Sequence, residues 1–163
     1  MTARKQTDTK NASHARELVI TRTLDAPRNH VWRLFTDPEH ASQWWGPKNF
    51  TLSALQMDQR VGGRWRAVIR SPEGQELPQS GVYREIVPPE RLAFTFTWES
   101  EGPESEMLCT FTFHERGTKT EMTFRKGPFA TAESHDSERD GWNECFDRLV
   151  EYLERSPVGA SQR

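Results

Sequence analysis

Apolar positions in this chain recur every second residue from position 17, pass briefly into a helical period, and return to a period of two for most of the remaining length. In ELVITRTL (17–24), Leu18, Ile20 and Leu24 fall on one side and Val19 on the other, the alternation of a half-buried strand. Pro27 suits the first turn of a helix, where its missing N–H costs nothing. Val31, Leu34 and Phe35 then share one helical face. Asp37-Pro38 repeats the device: Asp37 caps and Pro38 opens a second short helix carrying Ala41, Trp44 and Trp45, which Gly46-Pro47 ends.

From Phe50 to Lys126 the punctuation is that of hairpins. Phe50, Leu52, Ala54 and Gln56 oppose Thr51, Ser53, Leu55 and Met57, and Gly62-Gly63 breaks the run. Trp65, Ala67 and Ile69 then oppose Arg64, Arg66, Val68 and Arg70. Ser71-Pro72-Glu73-Gly74 is a turn, because Pro presets φ at its start and Gly accepts a positive φ at its end. GVYREIV stops at Pro88-Pro89. RLAFTFTWE places Leu92, Phe94, Phe96 and Trp98 on one face, and EMLCTFTFHE and TKTEMTFRK flank a turn at Arg116-Gly117. Trp142, Phe146, Leu149, Val150 and Leu153 form the stripe of a long closing helix, with Glu133, Asp136 and Glu138 near its start, where the helix dipole favours acidic groups. Gly141 inside that helix costs about 1 kcal/mol against Ala and suggests close approach by a neighbour or a ligand.

The order is strand, two short helices, six strands, one long helix. It predicts an α+β helix-grip fold, a curved seven-stranded antiparallel sheet wrapped around the C-terminal helix with the short helices closing one end. The WWGP corner then lies at the mouth of any cavity. At 163 residues one domain is expected, over 16–155, between polar, disordered tails at 1–15 and 156–163. The formal charge of −2, from 22 basic and 24 acidic residues, gives no reason to expect nucleic acid. No apolar run reaches the ~20 residues of a membrane span, and the N-terminal residues contain no secretory apolar core. Cys109 and Cys145 fit no zinc or disulfide pattern and are expected as buried free thiols in a cytoplasmic protein.

Several segments together resemble a known family. They are Ala26-Pro27 with HVWRLFTDPEHASQWWGP up to residue 47, GGRWRAVIRSPEG (62–74), GVYREIVPPERLAFTFTW (81–98) and GWNECFDRLVEYL (141–153). In content and order they are similar to the START/birch-pollen-allergen-like superfamily (SRPBCC), in the branch named after the C-terminal domain of the heat-shock-protein-90 ATPase activator. The resemblance spans about residues 17–155. It implies the helix-grip fold and a cavity for lipids, sterols, polyketides or other apolar molecules, although some members are cyclases or self-sacrificing resistance proteins.

The residues available to line such a cavity are Trp32, Phe35, Trp44, Trp45, Trp65, Tyr83, Phe94, Phe96, Trp98, Phe111, Phe113, Trp142 and Phe146. For most of them plain core packing is the competing explanation; Trp44 and Trp45, a Trp pair before Gly-Pro, are the rim candidates. Arg64, Arg66, Arg70 and Arg84 share a strand face and read as a solvated outer stripe. In the alternative, Arg66 or Arg84 turns inward to hold a carboxylate or phosphate, and Tyr83 is a polar handle. His14, His30, His40, His114 and His135 show no metal-ligand spacing, and His30 and His40 are assigned to polar helix faces. No metal or cofactor is expected, and no catalytic residue is assigned; Cys109 and His114 fall on opposite strand faces. Asp136, Glu138, Asp140 and Glu144 read as a solvated helix start.

Three functions remain open. The favoured one is binding of a small apolar or amphipathic molecule beneath the long helix, which calls for a cavity of at least ~300 Å³. The second is an interaction module, co-chaperone-like or homodimeric, with an exposed apolar patch; the chain lacks the separate N-terminal domain of the true co-chaperone. The third is a cyclase or hydrolase acting on apolar rings, which needs a perturbed ionisable group facing the cavity.

Overall fold

The period-two segments all become strands, and their inward positions meet one long helix. The computed structural model describes residues 17–155, so both tail assignments, 1–15 and 156–163, lie outside the described residues. The elements are β1 (Leu18–Leu24), α1 (Arg28–Thr36), α2 (Pro38–Ala41), β2 (Thr51–Met57), β3 (Arg64–Arg70), β4 (Glu76–Val87), β5 (Arg91–Trp98), β6 (Met107–Arg116), β7 (Lys119–Gly127) and α3 (Ala132–Arg155). The seven strands form one antiparallel sheet in the order β1-β7-β6-β5-β4-β3-β2. This is the helix-grip architecture, with the sheet curved about α3.

Alternation sorts the side chains as the sequence implies. Trp65, Ala67 and Ile69 of β3, Phe94 and Phe96 of β5, Phe111 and Phe113 of β6, and Met122 and Phe124 of β7 are all buried. From the other side α3 contributes Trp142, Cys145, Phe146, Leu149 and Leu153. Phe124 lies 4.6 Å from Trp142 and 5.4 Å from Phe146, ring centre to ring centre. α1 closes one end with Val31, Leu34 and Phe35, and Phe35 touches Trp44 and Phe111 at 4.8 Å each. Arg22 fastens β1 to α3 through Asp147 at 2.9 Å and Asn143 at 3.1 Å.

Four details depart from the sequence reading. A bulge between Leu52 and Ala54 breaks the alternation of β2, so Leu52, Leu55 and Met57 all become half-buried. β4 begins five residues before Gly81 and contains Pro78; β5 ends opposite Gln79, so on that side Pro78 has no ladder partner to deprive. Trp44 and Trp45 follow α2 in a turn instead of riding on it; Asp37 caps α2 as expected, accepting from Glu39 N at 3.0 Å. His30 is buried, not on a polar face, and His40 is half-buried, its Nδ1 2.6 Å from the Tyr152 hydroxyl.

Gly81 is fixed by close approach. A Cβ there would stand 1.8 Å from Thr95 O and 2.6 Å from Trp65 Nε1. The bare backbone lets the Trp65 indole cross it and donate to Thr95 O at 3.0 Å.

Candidate functional site

A cavity of about 200 Å³ lies at one end of the grip, between the 45–50 corner, the ends of β4 and β5, and the first half of α3. Trp45, Phe50, Ile69, Phe96, Trp98 and Trp142 supply its apolar wall, and Gln79 and Glu138 are polar groups within it. Gly141 and Cys145 complete the α3 side, and the exposed Ser137 stands at the rim.

The corner is tied to α3 through its carbonyl groups. Gly46 adopts φ +105°, a conformation glycine takes without strain, which turns the chain away from the helix. Arg148 of α3 then donates to three successive carbonyls, Trp45 O at 3.2 Å, Gly46 O at 2.9 Å and Pro47 O at 3.3 Å. Lys48 N–H donates to Glu144 at 3.2 Å, and the Cys145 thiol donates to Trp44 O at 3.5 Å. The Trp45 ring stands edge-on to Trp142 at 5.5 Å, and its indole N–H donates to Gln79 Oε1 at 2.9 Å. An indole N–H can only donate, so the Gln79 amide orientation is fixed.

Beneath the cavity lies a buried ion pair. Lys126, at 0% exposure, bonds Glu138 of α3. Its ammonium is 3.4 Å from the Phe96 ring centre, 5.4 Å from Trp142 and 5.9 Å from Trp98, a cation–π cage formed by cavity-lining rings. Glu138 also accepts from both indoles, Trp98 at 3.1 Å and Trp142 at 3.1 Å. Desolvating two charges is costly, and here the carboxylate's indole donors and the ring faces offset the loss of water. The charge stays behind the rings, so the cavity keeps a carboxylate edge without a cation of its own.

Of the thirteen aromatic candidates, Trp45, Phe96, Trp98 and Trp142 line this cavity. Phe35, Trp65, Tyr83 and Phe94 border, again with Trp45, a second space of only about 20 Å³. Trp32, Trp44, Phe111, Phe113 and Phe146 border neither; Trp44 is fully buried, its indole donating to Leu34 O at 2.9 Å, and is therefore core and not rim. Arg66 and Arg84 do not turn inward: both are exposed, and Arg66 pairs with Glu99 at 2.9 and 3.1 Å, which holds the Glu99 carboxyl below its usual range. Tyr83 faces in, and burial raises its phenol pKa. Burial pushes both thiols up to about 12, which favours the protonated form of Cys145 where it borders the cavity. Among the described residues no cluster of three or more His, Cys, Asp or Glu could hold a metal, and no helix is long and apolar enough to cross a membrane.

The model of the Activator of Hsp90 ATPase homolog 1-like protein family matches residues 25–154. The chain belongs to this family. No match is found among curated proteins. Solved structures similar to this AHSA1-like chain include a protein of Chromobacterium violaceum at 26% identity, covering 83% of this chain and 96% of the other, with TM-score 0.75. A protein of Nitrosomonas europaea is 27% identical over 86% of this chain and 96% of its own, with TM-score 0.74. The AHSA1 protein of Silicibacter pomeroyi, at 22% identity over 86% and 99%, shares the fold with TM-score 0.77.

Reasoning from sequence missed the polar half of this AHSA1-like site, though a signal was present. Lys126 has the parity of Met122 and Phe124, which places it inside, and Glu138 precedes Trp142 by one helical turn on the buried stripe. Glu138 is thus no part of a solvated helix start; its side chain is 15% exposed.

Proposed function

We propose that this AHSA1-like protein binds a small apolar or amphipathic molecule in the cavity between the 45–50 corner, β4–β5 and α3. The carrying observation is a ring-walled space that contains a carboxylate and an amide. Its volume of about 200 Å³ falls short of the ~300 Å³ that this reading called for, because the central rings interdigitate, and this counts against a larger ligand. The ligand class therefore narrows to one or two rings: an apolar cavity of about 150 Å³ already accepts benzene. An interaction module has less support, since the large apolar side chains exposed among the described residues, Val19, Val61, Val87 and Leu108, are scattered over β1, a loop, β4 and β6.

Native mass spectrometry of protein purified from cells, followed by solvent extraction, tests the reading. A small adduct lost on denaturation is expected, or, from an apo preparation, saturable binding of naphthalene. A clean apo mass together with no naphthalene binding up to its solubility limit refutes it.

A further inference from the structure

The cavity's polar atoms are used unequally, and the unused ones define what a ligand must offer. Glu138 Oε1 takes hydrogens from Lys126 and Trp142, while Oε2 takes one from Trp98 alone. A carboxylate oxygen has about two acceptor positions, so one on Oε2 stays open. Gln79 is its complement. Its oxygen is occupied by the Trp45 indole, its amide nitrogen makes no hydrogen bond among the described residues, and the residue lines the cavity.

Both groups line the same cavity and both are related to Trp98. Gln79 and Trp98 are directly paired across β4 and β5, and such partners share a face with Cβ atoms about 5 Å apart. The Trp98 indole in turn reaches Glu138. An unused donor and an unused acceptor therefore flank the same ring. None of the lining residues is cationic, since the Lys126 charge is engaged by Glu138 behind Phe96, Trp98 and Trp142. A ligand carboxylate would meet Glu138 with no partner.

We propose that the ligand is an uncharged, planar, one- or two-ring molecule with an N–H or O–H donor beside a carbonyl or ring-nitrogen acceptor, the donor meeting Glu138 Oε2 and the acceptor Gln79 Nε2. This rests on the cavity being the binding site proposed above. Apolar walls supply most of the contact area, and the paired hydrogen bonds set orientation and select among rings of equal size.

Ligand-observed NMR titrations with quinolin-2(1H)-one, its N-methyl derivative, naphthalene and 2-naphthoate test it on wild type and Gln79→Met. Quinolinone should bind about tenfold or more tighter than naphthalene, at roughly one factor of ten per strong hydrogen bond. N-methylation should remove most of that advantage, and 2-naphthoate should bind more weakly than naphthalene. Gln79→Met removes the amide and also the acceptor of the Trp45 indole, so it should weaken both probes, quinolinone about tenfold more than naphthalene. Equal affinities for quinolinone, its N-methyl derivative and naphthalene overturn the donor–acceptor assignment while the cavity reading stands. An equal loss of quinolinone and naphthalene in Gln79→Met does the same. Binding by no probe overturns both, and the ligand-side comparison holds whether or not the variant folds.

Discussion

Gly141 stands at mid-helix in α3 and on the cavity wall at once, so one methyl group there acts on stability and on binding in opposite directions. In a helix interior Ala is favoured over Gly by about 1 kcal/mol, chiefly because the unfolded chain gives up less freedom. The surroundings add no penalty: a Cβ at 141 would find Pro47 Cγ at 3.8 Å, ordinary contact distance, and nothing else nearby beyond its own helix. Gly141→Ala should therefore raise stability by about 1 kcal/mol and Tm by about 3 °C for a domain of this size. The methyl also enters the gap between Gly141 and Pro47, both walls of the 200 Å³ cavity. Overfilling a close-fitting site costs about 1–3 kcal/mol, which weakens a bicyclic ligand roughly 5- to 150-fold. Thermal melts followed by far-UV circular dichroism and an NMR titration with naphthalene read the two effects separately. A lower Tm would mean that the glycine is needed for the helix path. A higher Tm with unchanged affinity would mean that bound rings do not lie against Gly141, and would refute the placement of the site.

Two further substitutions test the interior. Trp44→Ala should cost about 3–5 kcal/mol in urea unfolding, comparable with Trp142→Ala, because both indoles are buried; a loss within about 0.5 kcal/mol, usual for surface positions, would return Trp44 to the rim. Lys126→Met should cost about 3–5 kcal/mol by leaving Glu138 without its cation, and the double variant Lys126→Met/Glu138→Gln should be more stable than that single one; a double variant as unstable or worse would show that the pair is not the source of the loss.

How far the sequence carried this fold depended on whether each feature was local. Strand parity and the α3 stripe are local, so β1, β3, β5, β6, β7 and the helix were all legible. The bulge at 52–54 and the extension of β4 through Pro78 were not, because both depend on what the neighbouring strand does at that level of the sheet. That extension carries Gln79, so the amide was lost with it. Lys126 and Glu138 were overlooked for a different reason. Glu138 was assigned to a solvated helix start on its charge and Lys126 was given no role, although helical phase and strand parity pointed both inward, and only three-dimensional proximity shows that each removes the other's cost. The cavity's size was also beyond reach, since the same aromatic residues either fill a core or surround a void, depending on ring angles.

Arg148 fastens the cavity mouth through backbone oxygens, donating to the carbonyls of Trp45, Gly46 and Pro47. This part of the anchor does not depend on which side chains stand at 45 and 47, although Gly46 and the Trp45 indole fix the segment by their own means. Substitutions at 47 and 50 alter the lining while the Arg148 bonds to the backbone remain available, whereas a change at 148 removes all three of those bonds. Within this scaffold the lining and the fastening of the mouth rest in part on different atoms, so one can be altered while much of the other stays in place.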